Sequence, residues 1–345
     1  MDKTGVIYTT DKKDQKRAFL VMGILTILII LVFIISVNTG HIRLSPSELL
    51  NTLFGNGTKK QDLILFQFRL PRIVISILIG AGLAVSGCIM QAMSRNALAD
   101  PGILGINAGA GLVVMLFIAF FSTTSAVPVV ALPFLAFLGA MLTAITIYVL
   151  AYKRGKGLLP TRLILTGVAI SAGISSAMIV LTLRLSPEKY QFVATWLAGS
   201  IWGTTWKFVL TLLPWIVILL PYVFMKSRTL NILNLGEVTA TGLGASVSRE
   251  QLKLLAVAVG LAAACVSVSG GIGFVGLIGP HVAKRLVGPR HQYLLPTTAL
   301  IGSLLVITAD TIGRWILQPT EVPTGLVVAV IGAPFFLYLL AKAKD

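Results

Sequence analysis

Leu20 to Val37 reads LVMGILTILIILVFIISV, eighteen residues without one charged side chain. A helix needs about 20 mainly apolar residues to cross the hydrocarbon core of a bilayer, so this run with Phe19 is long enough to span it. Similar runs recur as far as Leu340, giving a chain that is 56% hydrophobic, 12% charged and of mean hydropathy +0.92. Soluble domains hold roughly 45–50% apolar residues, and no polar block here is long enough to fold separately. The sequence therefore predicts an all-α, polytopic membrane protein, with residues 1–345 forming one transmembrane domain. The run from Leu20 is too long for a secretory leader and ends in Ser36-Val37-Asn38, which lacks a small-x-small cleavage pattern, so it reads as a retained first span.

Ten spans are expected, near residues 19–37, 71–92, 103–121, 127–150, 162–183, 206–225, 252–269, 273–287, 294–317 and 324–341. With the amino terminus inside, nineteen of the 28 Lys and Arg fall on the cytoplasmic side. That excess places both termini inside the cytoplasmic membrane, with residues 1–18 as a cytoplasmic tail. The net charge of +16 then reports topology; a nucleic-acid platform would interleave aromatics with its basic residues, and none do. Residues 38–68 read as a polar external loop. Its sequon Asn56-Gly57-Thr58 is short enough to arise by chance. Residues 185–205, with Trp196, Trp202 and Trp206 at the edge of the next span, read as an external amphipathic helix with indoles at the interface.

Catalytic chemistry has no obvious seat. His41, His281 and His291 are unpaired at ligand spacing, and Cys88 and Cys265 lie in apolar runs, so no catalytic or metal site is predicted. Asp100, Asp310 and Glu321 fall near span ends instead of mid-helix, which weakens an ion-coupled secondary transporter as the alternative. Gly155-Lys156 is followed by Gly157, without the hydroxyl of a phosphate loop, so ATP is expected elsewhere. Gly271-Ile272-Gly273-Phe274-Val275-Gly276 spells a dinucleotide pattern, but between two membrane helices it reads as close packing and a tight external turn.

Several longer runs are more specific. They are RLPR from Arg69, GAGLAVSGCIMQ (Gly80–Gln91), NALADPGILGINAGA (Asn96–Ala110), LNLGEVTATGLG (Leu233–Gly244), GGIGFVGLIGPHVAKRLVG (Gly270–Gly288) and EVPTGLVVAVIGAPFF (Glu321–Phe336). In this order, over nearly the whole chain, they resemble the FecCD family of ABC importer permeases, which serve iron–siderophore, haem and cobalamin uptake. The resemblance implies a type II importer bundle that pairs with a second permease subunit, identical or paralogous. It also implies two cytoplasmic ATPase subunits, which would hold ATP and Mg, and an extracellular substrate-binding protein. No cofactor is expected in this chain, and an iron(III)-siderophore is the expected cargo, with cobalamin or haem as alternatives.

By the same resemblance, Arg69, Arg72 and Arg314 would receive the binding protein. The cytoplasmic loop 226–251 would carry Gly236, Glu237, Ala240, Leu243 and Gly244 into the ATPase. Independently of the resemblance, this loop is unusually apolar for a solvated segment. Asn96, Leu98, Pro160 and Thr161 would form a cytoplasmic gate.

Overall fold

The computed structural model describes residues 3–39, 45–53, 55–121, 131–153, 157–158 and 160–342. Helix α1 (Lys3–Asn38) is followed by α2 (Pro46–Leu53), α3 (Lys59–Asp62), a π-helical stretch (Leu63–Arg69) and α4 (Leu70–Ser94). A 3-10 turn (Pro101–Leu104) leads into α5 (Ile106–Phe120) and α6 (Ala131–Ala151). Strands β1 (Tyr152–Lys153) and β2 (Gly157–Leu158) form a two-residue antiparallel ladder before α7 (Pro160–Thr182), α8 (Pro187–Leu197) and α9 (Trp206–Met225). Short helices α10 (Ser227–Asn234) and α11 (Glu237–Gly242) precede α12 (Val247–Ser269), α13 (Val275–Val287), α14 (His291–Ile316) and α15 (Thr324–Lys342).

Among the described residues seven helices are long and apolar enough to cross a membrane unaided. Helices α5 and α15 are shorter apolar helices, and α13 has only 13 residues. Helices α4 and α12 form the middle of the bundle, mostly buried along their apolar windows, and α14 packs most extensively on α4. The outer helices α1, α6, α7 and α9 leave Leu20, Ile27, Leu142, Leu165, Ile179, Leu210 and Ile218 exposed. In lipid that surface carries no hydrophobic penalty, and helix association must come from close packing. Gly80 and Gly302 supply it between α4 and α14, where a Cβ on either would overlap the carbonyl of the other. Ser303 Oγ donates to the Ile77 carbonyl at 2.9 Å beside this contact.

The stretch expected as an external loop is substantially helical. Thr58 caps α3 through a capping box with Gln61, so the sequon's threonine has a structural use. The helix then continues from Lys59 to Ser94 through the π-helical stretch. Pro71 accounts for the widening: in an α-helix its ring would strike the carbonyl four residues back, whereas i→i+5 bonding, as from the Leu70 N–H to the Leu65 carbonyl, relaxes that turn.

The turn joining α12 to α13 and the start of α13 are closely packed. Gly276 lies against Gly87 and Gln91 of α4, and Gln91 Nε2 donates to the Gly276 carbonyl at 3.2 Å. The turn itself packs on the end of α8 and the start of α15, where Gly199 and Gly325 abut the Gly271 carbonyl, and Gly270 and Phe274 adopt positive φ to make it. The close packing expected there is what the glycines provide. Helix α8 forms within 185–205 as expected, with Ser186 as its N-cap.

Candidate functional site

One end of the bundle carries a buried ionic cluster. Arg72 stands in the first turn of α4, while Asp310 and Arg314 stand four residues apart on α14. Glu321 follows α14 on the segment that leads to α15. Arg72 Nε and Nη2 each lie 2.9 Å from Asp310 Oδ1, and Arg72 Nη1 lies 2.6 Å from Glu321 Oε2. Arg314 Nε approaches Asp310 Oδ2 to 3.1 Å, a charge contact whose angle is too poor for a hydrogen bond. The rest of the Arg314 guanidinium donates to the carbonyls of Ser36 and Thr39, at 3.2 and 3.0 Å, and to Ser36 Oγ. Arg69 donates to the Val37 carbonyl, tying the same end of α1 to the π-helical stretch.

Arg69, Arg72 and Arg314 thus converge, as a common docking role requires, but they are not free side chains. They are only 6%, 9% and 5% exposed. The sequence missed Asp310 as their counter-ion because it is 238 residues from Arg72. Among the described residues three guanidiniums face two carboxylates, which leaves one unit of positive charge. Glu321, with a third of its side chain exposed, is the part of the cluster that reaches solvent most.

A second candidate region is the segment from Ser227 to Ser246. Leu230, Leu233 and Ala240 are buried and anchor it, so Ala240 faces the bundle. Leu235, Val238 and Leu243 are 63%, 89% and 62% exposed, an apolar face pointing away. Gly236 at φ 111° and Gly244 at φ 81° bracket α11, values that favour glycine because a Cβ would be strained there. The Glu237 side chain lies outside the described residues. Lys226 Nζ and Glu250 Oε2 meet at 2.8 Å and brace the two ends of the segment; this hydrogen bond raises the Lys226 pKa above its ordinary value.

The third region is the pair of segments expected to form a gate. Asn96 Oδ1 accepts the Leu98 N–H at 2.9 Å, an Asx turn directly after Arg95, which sits at φ 50°. Pro160 begins α7, its side chain lying outside the described residues, and Thr161 is exposed. Helix α7 packs on the 3-10 turn that follows Leu98, with Ser171 beside Gly105. Gly155 and Lys156 lie outside the described residues, and among those described no group of three His, Cys, Asp or Glu could hold a metal.

Residues 27–342 match the model of the FecCD transport family. The chain is 50% identical over 337 residues to the iron(3+)-hydroxamate import system permease protein FhuG of Bacillus subtilis, covering 96% of this chain and all of that one. It is 37% identical to the hemin transport system permease protein HmuU of Yersinia pestis, over 94% of this chain and 96% of the other. Its fold superposes with a TM-score of 0.81 on an inward-facing metal-chelate type ABC transporter, at 31% identity over 93% of this chain and 98% of the other. The chain belongs to the FecCD transport family, a family of ABC importer permeases.

Proposed function

We propose that this chain is the permease subunit through which an ABC importer moves an iron(III)-siderophore, of the hydroxamate class, across the cytoplasmic membrane. The observation that carries the cargo assignment is the end-to-end match to the B. subtilis hydroxamate permease, stronger than that to the haem permease.

Each partner then has a surface suited to it. The exposed apolar face of Leu235, Val238 and Leu243 suits a cytoplasmic ATPase, which would hold ATP and Mg. The surplus positive charge of the arginine cluster suits carboxylates on a substrate-binding protein, with Arg69, Arg72 and Arg314 supplying the field from just beneath the surface. A second permease copy or paralogue would cover exposed α7. The division of basic residues supports ten spans with both termini cytoplasmic, and the family likeness supports Asn96, Leu98, Pro160 and Thr161 as the inner gate.

The test is uptake of radiolabelled iron(III)-hydroxamate by vesicles holding this chain, its partner permease and the ATPase. ATP-dependent uptake is expected, with no uptake of haem. Uptake that an uncoupler abolishes while ATP is held constant would sink the reading in favour of an ion-coupled carrier.

A further inference from the structure

At the end of the bundle that bears α10 and α11, a cavity of about 450 Å³ opens between α4, α10, α13 and α14. Its wall gathers Arg95 from the end of α4, His281, Lys284 and Arg285 from α13, and His291 from the start of α14. Among the described residues no carboxylate lines it. Lys284 and Arg285 stand in the last turn of α13, where cations offset the helix dipole. That accounts for those two, but not for a third cation on another helix with two histidines in the same wall.

The hydrogen bonds within the wall are incomplete. His281 Nε2 is buried without a partner, with its ring edge-on to Phe335. A buried polar atom of this kind is rarely left unpaired in a native protein. His291 is held in place by Asn231, whose Oδ1 lies 2.9 Å from its backbone N and 2.8 Å from Nδ1. Arg285 is steadied with its guanidinium 5.6 Å from the centre of the Tyr338 ring. Cys88, Ala92 and Leu294 give the cavity a partly apolar floor.

We propose that this cavity binds a phosphate group, presented as free phosphate or as the phosphodiester of an anionic lipid headgroup. Arginine forks and a lysine ammonium suit phosphate oxygens, and basic recesses between membrane helices are suited to anionic headgroups. A bound phosphate offsets the mutual repulsion of the cations. Because Arg95 immediately precedes Asn96, occupancy also stiffens the Asn96–Leu98 turn.

The wild-type chain in neutral phosphatidylcholine nanodiscs supplies the test, with acetylation of Lys284 as the readout and exposed Lys207 as the internal reference. One arm adds inorganic phosphate and another includes phosphatidylglycerol. Slower Lys284 acetylation of at least about threefold is expected in one or both arms, with Lys207 unchanged. Protection by phosphate identifies the free anion as sufficient, and protection by phosphatidylglycerol alone identifies the headgroup. Arg95→Gln with Lys284→Gln should weaken phosphate-dependent or lipid-dependent thermal stabilisation by about tenfold in apparent affinity, in line with loss of charge-assisted contacts. No protection in either arm overturns the proposal. So does protection that only the ATPase subunit confers and phosphate does not displace, which assigns the cavity to an acidic protein segment. The readout on wild-type protein stands whether or not the double variant folds.

Discussion

Arg72 of α4 and Asp310 of α14 are joined by two guanidinium nitrogens on one carboxylate oxygen, each at 2.9 Å, with the Asp310 side chain fully buried. The pair locks the same helices that Gly80 and Gly302 bring into backbone contact. Thr324 Oγ1 donates to the same Asp310 oxygen at 3.2 Å, so the start of α15 is fastened to the joint as well.

Removing one member of this pair leaves a buried charge with only its second contact, Arg314 for Asp310 or Glu321 for Arg72, at a cost of up to about 3–5 kcal/mol. Arg72→Ala and Asp310→Ala should each lower the unfolding free energy by that amount. The double change Arg72→Met with Asp310→Leu should cost less than the sum of the two singles, although Glu321 then loses its guanidinium and Arg314 its carboxylate. Thermal unfolding in detergent measures this, and a double variant as unstable as the two singles combined counts against the pairing.

Glu321→Gln keeps a hydrogen-bond acceptor for Arg72 but removes one negative charge, so the cluster becomes more positive. Binding-protein affinity should rise at low ionic strength by about 1.4- to 5-fold, the scale of a partly exposed ion pair of 0.2–1 kcal/mol. The rise should fade as salt is added. A titration of binding protein against reconstituted transporter over a salt series reads both; lower affinity would exclude an attractive role for the surplus charge.

Val238→Asp with Leu243→Asp places two carboxylates on an apolar face that is exposed in the isolated chain. Folding should be nearly unaffected, since surface changes of this kind usually stay within about 0.5 kcal/mol. Co-purification of the ATPase should be lost. Retained ATPase with normal uptake would remove the face from the coupling surface.

Gly244→Val forces a β-branched residue to φ 81°, a strain of about 1–3 kcal/mol confined to the end of α11. ATP consumed per iron delivered should increase while the ATPase still co-purifies. An unchanged ratio would show that the α11 boundary transmits nothing.

Cysteine placed at Gly57 should react with an impermeant thiol reagent in intact cells, while cysteine at Lys153 should react only after permeabilisation. This follows from the charge division of the sequence and tests the orientation directly. The reverse pattern would invert the topology.

Much of the architecture was legible in the sequence because bilayer solvation is a strong, local constraint. A run such as Leu20–Val37 must be helical to satisfy its own backbone, and small residues such as Gly80 mark where helices meet closely. The site was legible only as residues. Arg69, Arg72 and Arg314 were marked by the family resemblance, and Leu235, Val238 and Leu243 as apolar residues in a polar stretch. Nothing local in the sequence announces that Asp310 faces Arg72, that Ala240 turns inward, or that Arg95 and His291 border one cavity.

The sequence by itself determined that this chain is a bundle of apolar helices with its basic residues unequally divided, because hydropathy and charge act on each segment where it stands. Only the tertiary structure decided which charges are buried, which are paired and which surround empty space. Burial and pairing are properties of residues far apart in the chain and close in space, and helix packing alone sets which of them meet.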